Sequence, residues 1–201
     1  MLRYQFYPTL LNEYHRYLTN PSKAAFDKLI DRINRVPITD PELLAKFGKG
    51  VSFEDAVLKG KPHSFKPGLV SEAKKLLPTK LKSQQFIQFI HKNIRFYGYA
   101  DVVGEGRVID IKTTSTHRPN RHDLNFQNLY LYALKGAGFR QMDYLICDFN
   151  QLYVETYGVE GYDFGYLLNE MEQFADFVEE HKRLITDKKI IVEEIQGGLF
   201  A

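Results

Sequence analysis

Three residues in the stretch YGYADVVGEGRVIDIKTT, 97–114, have types and spacing suited to chemistry on a phosphate: Asp101, Asp110 and Lys112. On a strand successive side chains alternate faces, so Asp110 and Lys112 point one way and Ile111 the other. Asp101 ends the preceding strand and brings a second carboxylate alongside. Two carboxylates and an ammonium suit a hard divalent cation plus a charge that orients water or phosphate, the parts that phosphodiester hydrolysis needs. A D-x-K tripeptide alone is a weak signal and more often an exposed ladder of charges. Its surroundings argue otherwise, because Val108, Ile109 and Ile111 make the strand apolar on both sides, as in a strand central to a sheet. Carboxylates there need a metal or a partner to offset their desolvation.

The remaining pattern supplies elements to hold these residues. Helical spacing covers Thr9 to Leu18 and Ser22 to Val36, with Asn20-Pro21-Ser22 as break and cap. Asp40-Pro41-Glu42 opens a third helix to about Phe47, Gly48 and Gly50 interrupt it, and Ser52 caps a short helix from Phe53 to Leu58. Pro67-Gly68 begins another, Leu69 to Leu77. The period then changes. Gln84 to His91, Ile94 to Val103 and Arg107 to Thr114 read as a three-stranded meander turning at Lys92-Asn93 and Gly104-Glu105-Gly106. A helix from His122 to Leu134, strands from Met142 to Phe149 and Leu152 to Tyr157, and a long helix from Tyr162 to about Thr186 follow. Ile190 to Ala201 fits a strand or a tail.

No linker-like stretch divides the 201 residues, so one domain is expected, with a helical part over about 1–80, a catalytic core over about 50–157 and a C-terminal helix over about 162–186. With 44% hydrophobic and 26% charged residues the composition is ordinary for a globular protein and indicates neither disorder nor a membrane protein. Residues 2–14, LRYQFYPTLLNEY, lack the apolar run and cleavage site of a signal peptide, which implies an intracellular, cytoplasmic location. A single cysteine, Cys147 in an apolar run, is a small core residue and cannot hold a cysteine-ligated cluster. A net charge of +2 does not announce nucleic-acid binding, so local clusters decide. Lysines crowd positions 59–82, and Arg118 and Arg121 directly follow the D-x-K strand.

The order of these elements resembles the core of the PD-(D/E)XK nuclease superfamily, an α/β fold with a restriction-endonuclease-like mixed sheet flanked by helices. Gly98-Tyr99-Ala100-Asp101 resembles its G-x-x-D element, and Val108-Ile109-Asp110-Ile111-Lys112-Thr113 its hydrophobic D-x-K-T element. Phe126-Gln127-Asn128-Leu129-Tyr130 is similar to the Q-x-x-Y helix of the RecB-like exonuclease branch. Upstream, Gly50-Val51-Ser52-Phe53-Glu54 resembles the G-x-x-x-(H/E) helix, with Glu54 as the extra ligand. The likeness spans roughly residues 6 to 150. Asp110 stands where many members carry Glu, which shortens the reach by one methylene, and the four cysteines of iron-sulfur relatives are absent.

The resemblance implies that Glu54, Asp101, Asp110 and the Ile111 carbonyl hold Mg or Mn, with Lys112 orienting or helping to deprotonate a water. Gln127 and Tyr130, three apart on a helix, share a face from which they could bind phosphate or support Lys112. Thr113, Thr114, Arg118 and Arg121 are candidates for contact with the nucleic-acid backbone. The expectation is therefore a Mg-dependent deoxyribonuclease, an exonuclease, with DNA as partner, RNA not excluded and no membrane. By analogy the setting is bacterial or phage repair and recombination, with a protein partner in a recombination or replication complex. The alternative is an inactive member of the fold serving as a nucleic-acid-binding or structural subunit. His63 and His117 read as solvated loop residues.

Overall fold

A computed structural model describes residues 2–66 and 68–192. Strand β1 (Tyr4–Phe6) leads into helices α1 (Pro8–Thr19), α2 (Lys23–Ile33), α3 (Pro41–Lys59) and α4 (Leu69–Lys75). Strands β2 (Lys82–His91), β3 (Ile94–Gly104) and β4 (Arg107–Thr113) follow, then α5 (Leu129–Leu134), β5 (Gln141–Cys147), β6 (Leu152–Gly158) and α6 (Phe164–Glu180). The six strands form one mixed sheet in the order β1-β3-β4-β5-β6, with β2 also paired to β3. The expected α/β class is present. No helix among the described residues is long and apolar enough to cross a membrane.

The chain forms two compact units. Of the described residues, one comprises 2–36, 88–98 and 165–192. In it β1 runs parallel to the start of β3, Tyr4 opposite Ile94 and Phe6 opposite Phe96. Ser22 accepts from the Ala25 N–H and so starts α2, as its sequence predicts. Phe6, Tyr14 and Phe177 pack around Phe174, with ring centroids 4.6, 4.8 and 6.1 Å away.

The other unit, residues 37–87 and 99–164, carries every residue expected to do chemistry. Strand β3 meets β4 antiparallel from Val102 opposite Ile109 to Gly104 opposite Arg107, through a turn in which Glu105 and Gly106 both have positive φ. Strand β4 runs parallel to β5, and β5 antiparallel to β6. One face of β4 and β5, bearing Ile109, Ile111, Leu145 and Cys147, packs on Phe53, Ala56 and Val57 of α3 and on Leu69, Val70 and Ala73 of α4. The opposite face carries Val108, Asp110 and Lys112. Cys147 is buried and free.

Several elements depart from the sequence reading. Gly48 and Gly50 do not interrupt α3, which is continuous from Pro41 to Lys59, capped by Asp40 and ended by Gly60 in the left-handed region. Ser52 is therefore mid-helix and not a cap. A Cβ at Gly50 would lie 2.9 Å from Thr113 Oγ1, so that glycine lets α3 approach the end of β4. The helix expected from His122 begins only at Phe126, as a 3₁₀ turn over Phe126–Asn128 that continues into α5. Asn125 accepts from the Gln127 N–H at this start, while residues 114–125 form a loop. The C-terminal helix is likewise shorter, Phe164–Glu180 with a 3₁₀ turn at Lys182–Leu184. Ile191 forms a bridge with Tyr4, and residues 193–201 lie outside the described residues.

Candidate active site

Sheet register brings the acids together. Pairing of β3 with β4 stops at Val102 and Ile109, just before the next pair would place Asp101 opposite Asp110. There the ladder is replaced by a side chain: the Ile111 N–H donates to Asp101 Oδ2 at 2.7 Å. A strand residue directs its N–H and C=O to the same edge, so the Ile111 carbonyl faces this opening as well. Asp110 is 4% exposed and its Oδ2 is ion-paired with the Lys112 ammonium; among the described residues that oxygen accepts no hydrogen bond. Lys112 and Asp110 thus share a face, and Ile111 is in the core behind them, as strand alternation requires.

Glu54 arrives from α3 through a residue the sequence did not single out. Gln84 Nε2 donates to Glu54 Oε1 at 2.7 Å and to Asp101 Oδ1 at 3.2 Å, bridging the two carboxylates. Gln84 does so from a left-handed backbone, φ 49°, which for a residue with a side chain costs about 1 kcal/mol or more and is tolerated chiefly at functional positions. Nothing in its local sequence marks it. Its role exists only because β2 is placed against β3.

These groups also act on one another electrostatically. Burial pushes the Asp101 carboxyl up, the Asp110 charge adds to this, and the result is about 8 despite Lys112 and the Ile111 N–H. Burial and then Asp110 likewise raise Glu54. Burial disfavours charge on Lys112, but Asp110 and Asp101 outweigh it and hold the ammonium above its ordinary value. Burial, then the nearby Asp110 and Asp101, raise the Tyr130 hydroxyl, which is also in hydrogen-bond contact with the Tyr99 backbone. Tyr130 therefore lies within electrostatic reach of both acids. Gln127 is buried in the 3₁₀ turn one step before α5, so the two residues are not on one regular helix.

Beyond the acids, β4, β5 and β6 align Asp110, Tyr144 and Glu155 in one row on this face. His122, in the loop after β4, stacks on Tyr144 with centroids 4.4 Å apart, and its Nδ1 lies 2.9 Å from Glu155 Oε2. Neighbouring His117 stacks on Tyr153 at 3.9 Å. Both histidines are thus packed and not merely solvated, and they fold the loop back on the sheet. That loop forms a pocket of about 470 Å³ lined by Thr114, Ser115, Thr116, Arg118, Pro119 and Arg121. Arg121 donates to Thr114 Oγ1 at 3.3 Å, and neither arginine forms an ion pair among the described residues. Thr113 is not part of this pocket, because its hydroxyl faces Gly50 of α3.

The donor set tests the fit to a metal. Glu54, Asp101, Asp110 and the Ile111 carbonyl are all oxygens, the ligands of a hard cation. Among the described residues no three His, Cys, Asp or Glu side chains are gathered closely enough to grip an ion. The reason is local: the Gln84 amide stands between Glu54 and Asp101, and the Lys112 ammonium stands on Asp110. The oxygens suit a divalent ion in kind, and it would enter only where the Gln84 amide and the Lys112 ammonium yield their places.

No family model matches the chain, and no curated protein matches its sequence. In three dimensions it is similar to SSO0001, with TM-score 0.50 and 14% identity over 92% of this chain and 87% of that one. A "putative exonuclease" from Eubacterium rectale aligns with TM-score 0.36 and 10% identity over 90% of this chain and 69% of its own. Rai1 of Scheffersomyces stipitis aligns with TM-score 0.36 and 14% identity over 88% and 61%. SSO0001 shares the fold, and the other two likenesses are too loose to carry an argument.

Proposed function

We propose that this chain is a metal-dependent nuclease that hydrolyses phosphodiester bonds in DNA, an exonuclease on the plan of the RecB-like branch of the PD-(D/E)XK superfamily. One observation carries the reading: Asp101 and Asp110 meet where the β3–β4 ladder opens, Asp101 is raised to about 8, and Lys112 is ion-paired to Asp110. A buried Asp110 beside a half-buried Asp101, with one ammonium to offset both, suits a cation. Glu54, Asp101, Asp110 and the Ile111 carbonyl would hold Mg or Mn. Bound there, such an ion would polarise a phosphoryl oxygen and lower the pKa of its water.

The chain's own groups do the rest. Lys112, kept protonated by its two acidic neighbours, offsets the charge that grows on the phosphate and orients the attacking water. Tyr130 keeps its proton, so its hydroxyl can donate to a phosphate oxygen or hold Lys112 in place. Gln127 supports the same wall. Thr114, Arg118 and Arg121 provide hydroxyls and guanidinium groups for backbone phosphates beyond the scissile bond. The repair or recombination setting suggested by the resemblance goes with this reading, as does a protein partner.

Degradation of linear single- and double-stranded DNA with Mg or Mn, followed for wild type, Asp110→Ala and Lys112→Ala, tests it. A loss of at least about 100-fold in both variants, with melting temperature unchanged or raised, is expected. Equal activity in all three proteins, or activity indifferent to EDTA, would sink the proposal.

A further inference from the structure

Phe86 and Tyr99 are large rings left exposed, at 42% and 58%, on the strands that frame the acids. Their positions are not incidental. Gln84 of β2 reaches Asp101 of β3, and two residues along each strand Phe86 touches Tyr99, with centroids 5.2 Å apart and planes at 57°. Period-two alternation puts Tyr99 and Asp101 on one face of β3, about 7 Å apart along the strand, and their contacts with Phe86 and Gln84 bring the β2 residues to that same side. Phe86 also lines a cleft of about 600 Å³ whose other walls include Lys80, Leu81, Lys82, Leu134 and Phe139. No carboxylate lines this cleft, and neither lysine is ion-paired among the described residues. Apolar rings for flat faces and unpaired cations for phosphates, in a cleft of nucleotide size, are what an unpaired nucleic-acid strand needs.

We propose that the cleft and the Phe86–Tyr99 pair form a stacking track that takes single-stranded nucleic acid and leads it to the acids. The inference rests on the proposed nuclease reading and deepens it, since it names the form in which substrate arrives: bases unstacked from a partner strand, one of them against Tyr99. A duplex cannot use the track, because its bases present edges and not faces. DNA and RNA strands share the chemistry of the track.

The test is binding of the full chain, in EDTA so that no hydrolysis intervenes, to fluorescent DNA and RNA strands of about 16 nucleotides and to a blunt DNA duplex. Anisotropy should show tighter binding to single strands than to duplex. Phe86→Ala and Tyr99→Ala should each weaken strand binding by about tenfold or more and leave duplex binding unchanged. Phe86→Tyr and Tyr99→Phe keep a ring and should bind as wild type. Equal affinity for strand and duplex, or alanine variants that bind like wild type, overturns the inference. So does a dimer, seen by sedimentation, that is lost in Phe86→Ala, because a second copy would then be the occupant. The two readings fail separately: Mg-dependent cleavage unaffected by the alanine variants sinks the track alone, whereas ring-dependent strand binding by a protein that cleaves nothing sinks the nuclease alone.

Discussion

Glu13, in the unit built on β1, α1, α2 and α6, and Asp101, in the unit built on β4 and β5, are a buried and a half-buried carboxylate, and they have opposite fates. Glu13 is 4% exposed and takes Arg16 at 2.9 Å and Lys28 at 2.8 Å. Burial pushes its carboxyl up, but the two cations, Lys28 foremost, bring it below the usual range. Asp101 also suffers burial first, then a like charge from Asp110, and one ammonium with one N–H does not restore balance. Burial therefore does not separate a structural carboxylate from a functional one. The compensation does: a satisfied acid holds helices together, and an under-compensated one is what the proposed cation site calls for.

Asp101→Asn presses hardest on this contrast. The amide oxygen can still accept the Ile111 N–H, while the repulsion with Asp110 disappears. The proposed nuclease activity should fall by at least about 100-fold while the protein becomes more stable. Linkage gives the sign. The Asp101 proton is held in the folded chain to about pH 8, against an ordinary value of 3.8, so its contribution is complete below the ordinary value and is lost as pH rises through about 8. In EDTA, wild type should lose stability across that window and Asp101→Asn should not. Mg should raise the melting temperature of wild type at pH 8 and leave the variant's unchanged. A variant less stable than wild type at pH 8 would break the contrast.

Glu13→Gln is the complementary case. Arg16 and Lys28 are themselves largely exposed, at 65% and 62%, so they return to water when the charge is removed, and the cost should be about 1–2 kcal/mol. That corresponds to roughly 2–8 °C in melting temperature for a chain this size, with nuclease activity unchanged. Because Glu13 is lowered, its contribution is present above 4.5 and is lost as pH falls through its folded value, a slope opposite to that of Asp101. Activity that falls with Glu13→Gln would show that the two carboxylates are not independent.

Asp101, Asp110 and Lys112 were legible in the sequence because period-two alternation in a strongly apolar strand fixes which side chains share a face. Tyr130 was singled out by resemblance alone. Gln84, Phe86 and Tyr99 had no such signal: they act through contacts with residues far away in the chain, and the left-handed φ of Gln84 has no mark in a residue type that seldom adopts it. Strand β1 escaped notice because three residues cannot establish a period and its partner Ile94 is remote in sequence. The loop before α5 read as helix because Leu124, Gln127, Leu131 and Leu134 have helical spacing, yet His122 and Asn125 use their side chains on Glu155 and on the Gln127 backbone instead.

The glycines of α3 were misread because glycine near a helix end is the commonest stop signal, and here close packing is the reason for one of them. The two can be separated by a small effect. A Cβ at Gly48 meets nothing within 4 Å, so Gly48→Ala should gain most of the propensity difference, up to about 1 kcal/mol. At Gly50 the same change places a carbon 2.9 Å from Thr113 Oγ1, and either the threonine turns or α3 lifts. Gly50→Ala should therefore show no rise in melting temperature, and because Glu54 lies one turn further along the same helix, any lift of α3 should lower nuclease activity. Combining Gly50→Ala with Thr113→Ala removes the obstructing oxygen and should recover the rise in stability. If Gly48→Ala and Gly50→Ala raise the melting temperature equally, the packing of α3 on β4 does not require a glycine at position 50.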